Sequence, residues 1–167
     1  ILGGKVMALR QIRHEGDEIL RKACKPVKLV TSRTLDLIDD MFETMYDAGG
    51  VGLAAPQVGI LKRIVVIDVD YETPIVLINP VIIQKDGEQI GDEGCLSLPG
   101  LVASVTRPNH VICEAYNENM EKITIEGEGF LARAICHELD HLDGVLYKDI
   151  ANEPLRELES APEEIDE

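Results

Sequence analysis

The stretch Cys136-His137-Glu138-Leu139-Asp140-His141-Leu142-Asp143-Gly144 decides how the chain is read. Two histidines four apart, with a glutamate directly after the first, form an HExxH pattern. On a helix this spacing stacks both imidazoles on one face, about 6 Å apart along the axis. Two nitrogen ligands on one rigid face are half of a catalytic metal site. The glutamate, rotated about 100° from the first histidine, can serve as general base toward a water at that site. Such a site needs a third protein ligand and one open position. The plainer alternative is a short helix carrying two surface histidines.

The neighbouring residues support a helix over 130–142. Leu131, Ile135, Leu139 and Leu142 fall on one stripe at helical spacing, and Phe130, Arg133, Ala134, His137 and His141 on roughly the opposite one. The first stripe is suited to a core and the second to a pocket. Gly144 stands where a left-handed residue would end the helix.

The chain has 167 residues and 45% apolar composition, which suits one globular domain. No apolar run approaches 18 residues, so no membrane span is expected. No secretory signal is visible, although a mature chain can have lost one. Residues 1–6 read as a non-native remnant ahead of Met7, residues 7–150 as a single catalytic domain, and residues 151–167 as an acidic tail. From Asn152 to Glu167 seven acids face one base, a net −6. That tail reads as a short helix around Leu155 and Leu158 followed by a solvated end. The whole chain carries −15, which argues against a nucleic-acid surface. Cys24, Cys95, Cys113 and Cys136 show no CxxC spacing and read as reduced thiols in a cytoplasm, with one of them available as a metal ligand.

A long helix is expected over 33–48, capped by Thr31 or Ser32, with Leu35, Ile38, Met41, Phe42 and Met45 at helical spacing. A helical turn or two is expected over 15–23. Residues 50–59 are too small and glycine-rich for a strand interior or helix, and suit a place where another backbone or a ligand comes close. Within them Gln57 alone offers both a donor and an acceptor. Strands are expected over 63–69, 74–84, 88–91, 101–107, 110–116, 122–126 and 145–150. Strands ahead of a C-terminal helix imply an α+β fold: antiparallel strands packed around the HExxH helix, with a further helix near the N-terminus. For the third ligand Cys95, on a glycine-flanked bend, competes with a simpler role as a structural thiol. His14 and His110 sit in ordinary polar contexts.

Taken together, Gly50-Val51-Gly52-Leu53-Ala54-Ala55-Pro56-Gln57, Glu93-Gly94-Cys95-Leu96-Ser97 and His137-Glu138-Leu139-Asp140-His141 resemble, in order and separation, the three motifs of the bacterial-type peptide deformylases. The resemblance covers residues 7–150. It implies a metal-dependent hydrolase that removes the formyl group from the N-terminal formylmethionine of newly made polypeptides and releases formate. Cys95, His137 and His141 would bind one divalent metal per chain, physiologically ferrous iron, with zinc, nickel or cobalt able to substitute. Glu138 would be general base and then acid. Gln57 and the backbone amide of Leu96 would stabilise the oxyanion. Backbone groups of Val51, Gly52 and Gly94 would hold the peptide as an added strand, and Phe130, Arg133 and Ala134 would fall at the methionine pocket. The partner implied is the nascent chain, near the ribosome in the cytoplasm, without direct nucleic-acid or membrane contact. Two positions depart from the family pattern: Cys136 stands where glutamine is common, and Val102 where some members have arginine. The alternatives are an HExxH zinc endopeptidase, whose next ligand position here is Tyr147, and a non-catalytic metal-binding module.

Overall fold

The computed structural model describes residues 8–158. The readings of residues 1–6, of Met7 as a start and of residues 159–167 lie outside them. The described chain is α+β, with eight strands in two antiparallel sheets and two α-helices. Helix α1 spans Ser32–Asp47. Strands β1 Gly52–Ala54, β2 Ile64–Ile67, β3 Ile75–Asp86, β4 Gln89–Cys95, β5 Leu98–Arg107, β6 His110–Tyr116 and β7 Lys122–Glu128 follow, then helix α2 Phe130–Leu142 and strand β8 Arg156–Glu157. One sheet runs β1-β2-β3-β6-β7 and the other β4-β5-β8.

Helix α1 starts where Thr31 accepts a hydrogen bond from the Thr34 amide, and it stops before Gly49, whose φ of 70° is left-handed. It buries Leu37, Ile38, Met41 and Met45 against Leu53, Ile64 and Val66. Leu37 joins this face, whereas Leu35 stays partly exposed. Burying each such side chain is worth about 1.5–3 kcal/mol. Strand β3 serves two partners, β2 through its first residues and β6 through the rest, with irregular register between Ile78 and Val81. Asn79 sits in that break at φ 51° and clamps Val27 through both its backbone groups, at 2.8 Å each.

Helix α2 packs its apolar stripe between the sheets. Ile135, Leu139 and Leu142 are buried among Val65, Ile67, Val111 and Cys113, while Leu131 closes the edge of the same cluster. Cys136 also faces this core rather than the metal-ligand side. The helix ends at Leu142, with Gly144 at φ 74° and its Cα face against the Arg21 backbone, where an added Cβ would come within 2.5 Å of the Arg21 carbonyl oxygen.

Three expectations are corrected. Residues 50–59 do form regular structure, strand β1 followed by the 3-10 turn Ala55–Val58. Their small side chains let this strand slide beneath α2 while its backbone pairs with β2. Residues 145–150 are not a strand. They hold the 3-10 turn Tyr147–Asp149, because the Asp149 carboxylate takes the Leu146 amide at 2.9 Å and bends the chain. The tail around Leu155 and Leu158 is not helical either: it runs extended as β8 along β5, pairing Arg156 with Val102 and Glu157 with Leu101. The 88–91 strand is longer than expected and runs to Cys95.

Candidate active site

Three separate elements deliver the site. The end of β4 supplies Cys95, α2 supplies His137, Glu138 and His141, and the turn after β1 supplies Gln57. Cys95 Sγ stands 3.3 Å from His141 Nε2, and one ligand atom from each of Cys95, His137 and His141 fits within 4.8 Å of the others. The histidine rings lie 5.1 Å apart at 67°, as i, i+4 neighbours on one helix face should. A thiol and two imidazoles converging in a buried place make a soft and intermediate donor set that fits a divalent transition metal. Burial together with the neighbouring His137 pushes His141 well below its ordinary pKa, so it is a neutral ring with a lone pair to give.

Glu93, assigned no role by the motif reading, organises the ligands from behind. It is buried, and its Oε1 accepts from His137 Nδ1 at 2.8 Å. That contact leaves Nε2 of His137 free to face a metal. Burial alone would raise the Glu93 pKa, but hydrogen bonds from Arg107 and His137 outweigh it and bring the carboxyl down to about 2. Arg107 forks onto both carboxylate oxygens at 2.8 and 2.9 Å and reaches Asp140 at 2.6 Å. Arg133 adds 2.6 Å to Glu93 and 3.0 Å to the Val105 carbonyl. One signal for Glu93 went unused: it opens the same Glu93-Gly94-Cys95-Leu96-Ser97 motif as Cys95, although the strand expected over 88–91 stopped short of both. Nothing in the sequence pointed to Arg107. Tyr147 was also missed as a support: its ring stacks on His137 at 5.9 Å and its hydroxyl donates to the Leu101 carbonyl.

Gln57 is 1% exposed and held at both ends. Its Oε1 accepts from the Ala54 amide at 3.0 Å, while Nε2 donates to Ser97 Oγ at 3.1 Å and faces Cys95 Sγ at 3.5 Å. Glu138 is buried, and its Oε1 has no hydrogen-bond partner among the described residues. Burial pushes its pKa up to about 7 against the pull of His137. Gly52 makes room for it: an added Cβ would fall 2.9 Å from the Glu138 Cδ.

These groups face a cavity of ≈ 660 Å³. Val51, Gly52, Gly94, Phe130, Arg133 and Ala134 all line it, as do Leu96, Gln57, Cys95, His137 and Glu138. Arg133 lines it with a guanidinium already committed to Glu93 and Val105. His14 lines it as well, whereas His110 lies elsewhere, bridging Asp86 and Glu126 on the sheet surface. His141 lies behind the wall at 1% exposure.

The family described as Polypeptide deformylase matches residues 9–157. A peptide deformylase of Lachnoclostridium phytofermentans is 60% identical over 163 residues, 96% of this chain and 100% of that protein. One from Agathobacter rectalis is 67% identical over 141 residues, 84% and 89% of the two chains. Among solved structures, a peptide deformylase from Legionella pneumophila has a TM-score of 0.84 at 45% identity, covering 87% of each chain. One from Thermotoga maritima has a TM-score of 0.85 at 41% identity, covering 87% of this chain and 99% of that one. A Synechococcus elongatus peptide deformylase in complex with actinonin has a TM-score of 0.83 at 38% identity over 90% and 87%.

Proposed function

The chain belongs to the polypeptide deformylase family, whose metal-dependent hydrolysis removes the formyl group from N-terminal formylmethionine, and from that premise we propose which residues of this chain do each part of the work. The observation that carries the assignment is the convergence of Cys95, His137 and His141 beside a buried Glu138 with an unbonded oxygen. Those three residues would hold the metal. When bound, it supplies Lewis acidity that lowers the pKa of a water and polarises the formyl carbonyl.

Glu138 takes a proton from the water that attacks the formyl carbon. It then returns that proton to the methionine nitrogen as the C–N bond breaks, so formate and a free amine leave. A carboxyl near neutrality suits both directions of that transfer. Gln57 Nε2 and the Leu96 amide donate to the oxygen that gains charge, and Ser97 and Ala54 keep Gln57 from turning away. The peptide lies along the free edge of β4, with backbone groups of Gly94, Val51 and Gly52 pairing to it. Its methionine side chain enters beside Phe130, Ala134 and the aliphatic part of Arg133.

Ferrous iron is the metal we assign physiologically, with zinc, nickel or cobalt able to substitute; one thiolate and two imidazoles suit each of them. The nascent chain places the enzyme in the cytoplasm near the ribosome. Among the described residues no helix is long and apolar enough to cross a membrane. An endopeptidase of the HExxHxxG type would need a ligand at Tyr147, and that hydroxyl is spent on the Leu101 carbonyl. The test measures formate release from formyl-Met peptides alongside cleavage of internal bonds in casein. Formate without internal cleavage is expected; internal cleavage without formate would refute the assignment.

A further inference from the structure

Between β2 and β3 the chain turns through residues 68–74, outside the three motifs of the site. Tyr71 stands in this turn at φ 58°, a left-handed conformation that is uncommon for an aromatic residue. Backbone strain of this kind persists where the surroundings enforce it. Here two aspartates do so: Asp70 Oδ1 accepts from the Glu72 and Thr73 amides at 2.9 Å each, and Asp68 Oδ1 takes the Thr73 amide at 3.2 Å. Asp68 is fully buried, and its Oδ2 accepts from the Tyr46 hydroxyl at 2.5 Å. The Tyr71 ring meets the Tyr46 ring edge-on, with centroids 5.6 Å apart. What this framework holds in place is the Tyr71 hydroxyl, which donates to the Gly50 carbonyl at 3.1 Å. The Asp68 amide donates to the next carbonyl, that of Val51, at 2.8 Å. Between these two held carbonyls lies the Val51 N–H, which has no hydrogen-bond partner among the described residues. Gly50 and Val51 both line the cavity.

We propose that Tyr71 is a positioning residue for the substrate: it holds the Gly50 carbonyl so that the Val51 N–H is aimed at a backbone carbonyl of the formylated peptide. This rests on the deformylase reading above, in which Val51 pairs with the peptide. The Gly50 carbonyl and the Val51 N–H belong to one planar trans peptide unit and point in opposite directions. Fixing one end therefore fixes the other. With the carbonyl turned to Tyr71, the N–H turns away from it. A carbonyl that accepts a hydrogen bond also makes the N–H of its own amide a stronger donor. The need for a restraint here has a cause in the sequence. A Cβ at Gly50 would fall 2.7 Å from Leu96 Cδ1, so this position takes no side chain while Leu96 packs over it. Glycine brings backbone freedom with it, and Gly49, at φ 70°, adjoins. Tyr71 removes the freedom that the packing of Leu96 imposes.

The test compares metal-loaded wild type with metal-loaded Tyr71→Phe, which keeps the ring on Tyr46 and removes only the hydroxyl. Two unreactive ligands are used. Acetyl-Met-Ala-amide has the full backbone, whereas N-acetyl-3-(methylthio)propylamine keeps the methionine side chain and the acyl amide but ends where the methionine carbonyl would begin. Calorimetry at millimolar ligand reads both affinities. Tyr71→Phe is expected to bind the peptide about fivefold more weakly, the scale of one hydrogen bond, and the truncated amide as the wild type does. With formyl-Met-Ala-amide the loss appears in KM, while kcat stays within about twofold. Unchanged peptide affinity in Tyr71→Phe overturns the proposal. So does an equal loss for both ligands, or a fall in kcat at unchanged KM, either of which would mark the turn as a structural strut. A wild type that releases no formate, while Tyr71→Phe still loses affinity for the peptide alone, would remove the deformylase reading and leave the role of Tyr71 standing.

Discussion

At the scale of single residues, the division of labour within one helical turn is what makes the site work. His137 and Glu138 are neighbours, yet the first faces Glu93 and Cys95 while the second faces Gly52 and the cavity. Glu138→Gln keeps the volume and removes the proton acceptor. It is expected to retain the metal by elemental analysis while kcat falls about 100- to 10,000-fold. A loss of only a few-fold would assign the proton transfer to another group. Glu93 acts one step further back, by fixing the His137 ring and leaving Arg107 and Arg133 a shared anion. Glu93→Gln is expected to weaken metal affinity about 10- to 100-fold, read by chelator competition. Metal affinity equal to wild type in a folded Glu93→Gln protein would make the contact incidental. The residues proposed for the metal and the substrate were legible in the sequence because their spacing is local, as in HExxH, or because a glycine marks a close approach. Arg107, Tyr147 and Ser97 were not, since each meets its partner through strand register or a turn that no local pattern encodes.

At the scale of elements, legibility followed periodicity. Helix α2 and strand β6 fall where the spacing put them, because a full stripe of apolar positions repeats there. The misread pieces are short: β1, β8 and the turn at 147–149 contain two or three residues each, too few to show a period. Their conformations are decided by a partner strand or by one carboxylate, as Asp149 decides the turn after Val145. The sheet of β3, β6 and β7 adds an electrostatic stitch with a testable pH signature. His110 lies between Glu126 at 2.7 Å and Asp86 at 3.0 Å, and these hydrogen bonds raise its pKa above 6.5. The sign follows from that direction. The stabilising contribution is fully present below pH 6.5 and is lost as pH rises through the raised value. On the acid side, Asp86 is depressed by its bonds to Gln84 and His110, so its own contribution fades only as pH falls below 3.8. The difference in urea midpoint between wild type and His110→Gln should be greatest near pH 5.5 and shrink above pH 8. A difference that is constant with pH would mean that packing, not charge, is lost.

At the scale of the whole molecule, charge shapes which substrates arrive. The chain carries −15, and several of its cations are committed internally: Arg107 and Arg133 to Glu93, Arg10 to Asp40, Arg21 to Asp149. The net field of the molecule is therefore negative. A nascent chain entering this field is drawn in if its residues beyond methionine are basic and held off if they are acidic. Because the effect acts on approach rather than on the bound state, it belongs in kcat/KM and not in kcat. It must also depend on ionic strength, since the screening length falls from about 30 Å at 0.01 M salt to about 3 Å at 1 M. Comparing formyl-Met-Ala-Lys-Lys with formyl-Met-Ala-Glu-Glu, the lysine peptide should be favoured about tenfold in kcat/KM at low salt, the lower end of electrostatic steering. That preference should approach unity by 1 M salt with kcat unchanged throughout. A preference that survives high salt would locate the selectivity in a direct contact at the groove and not in the field of the molecule.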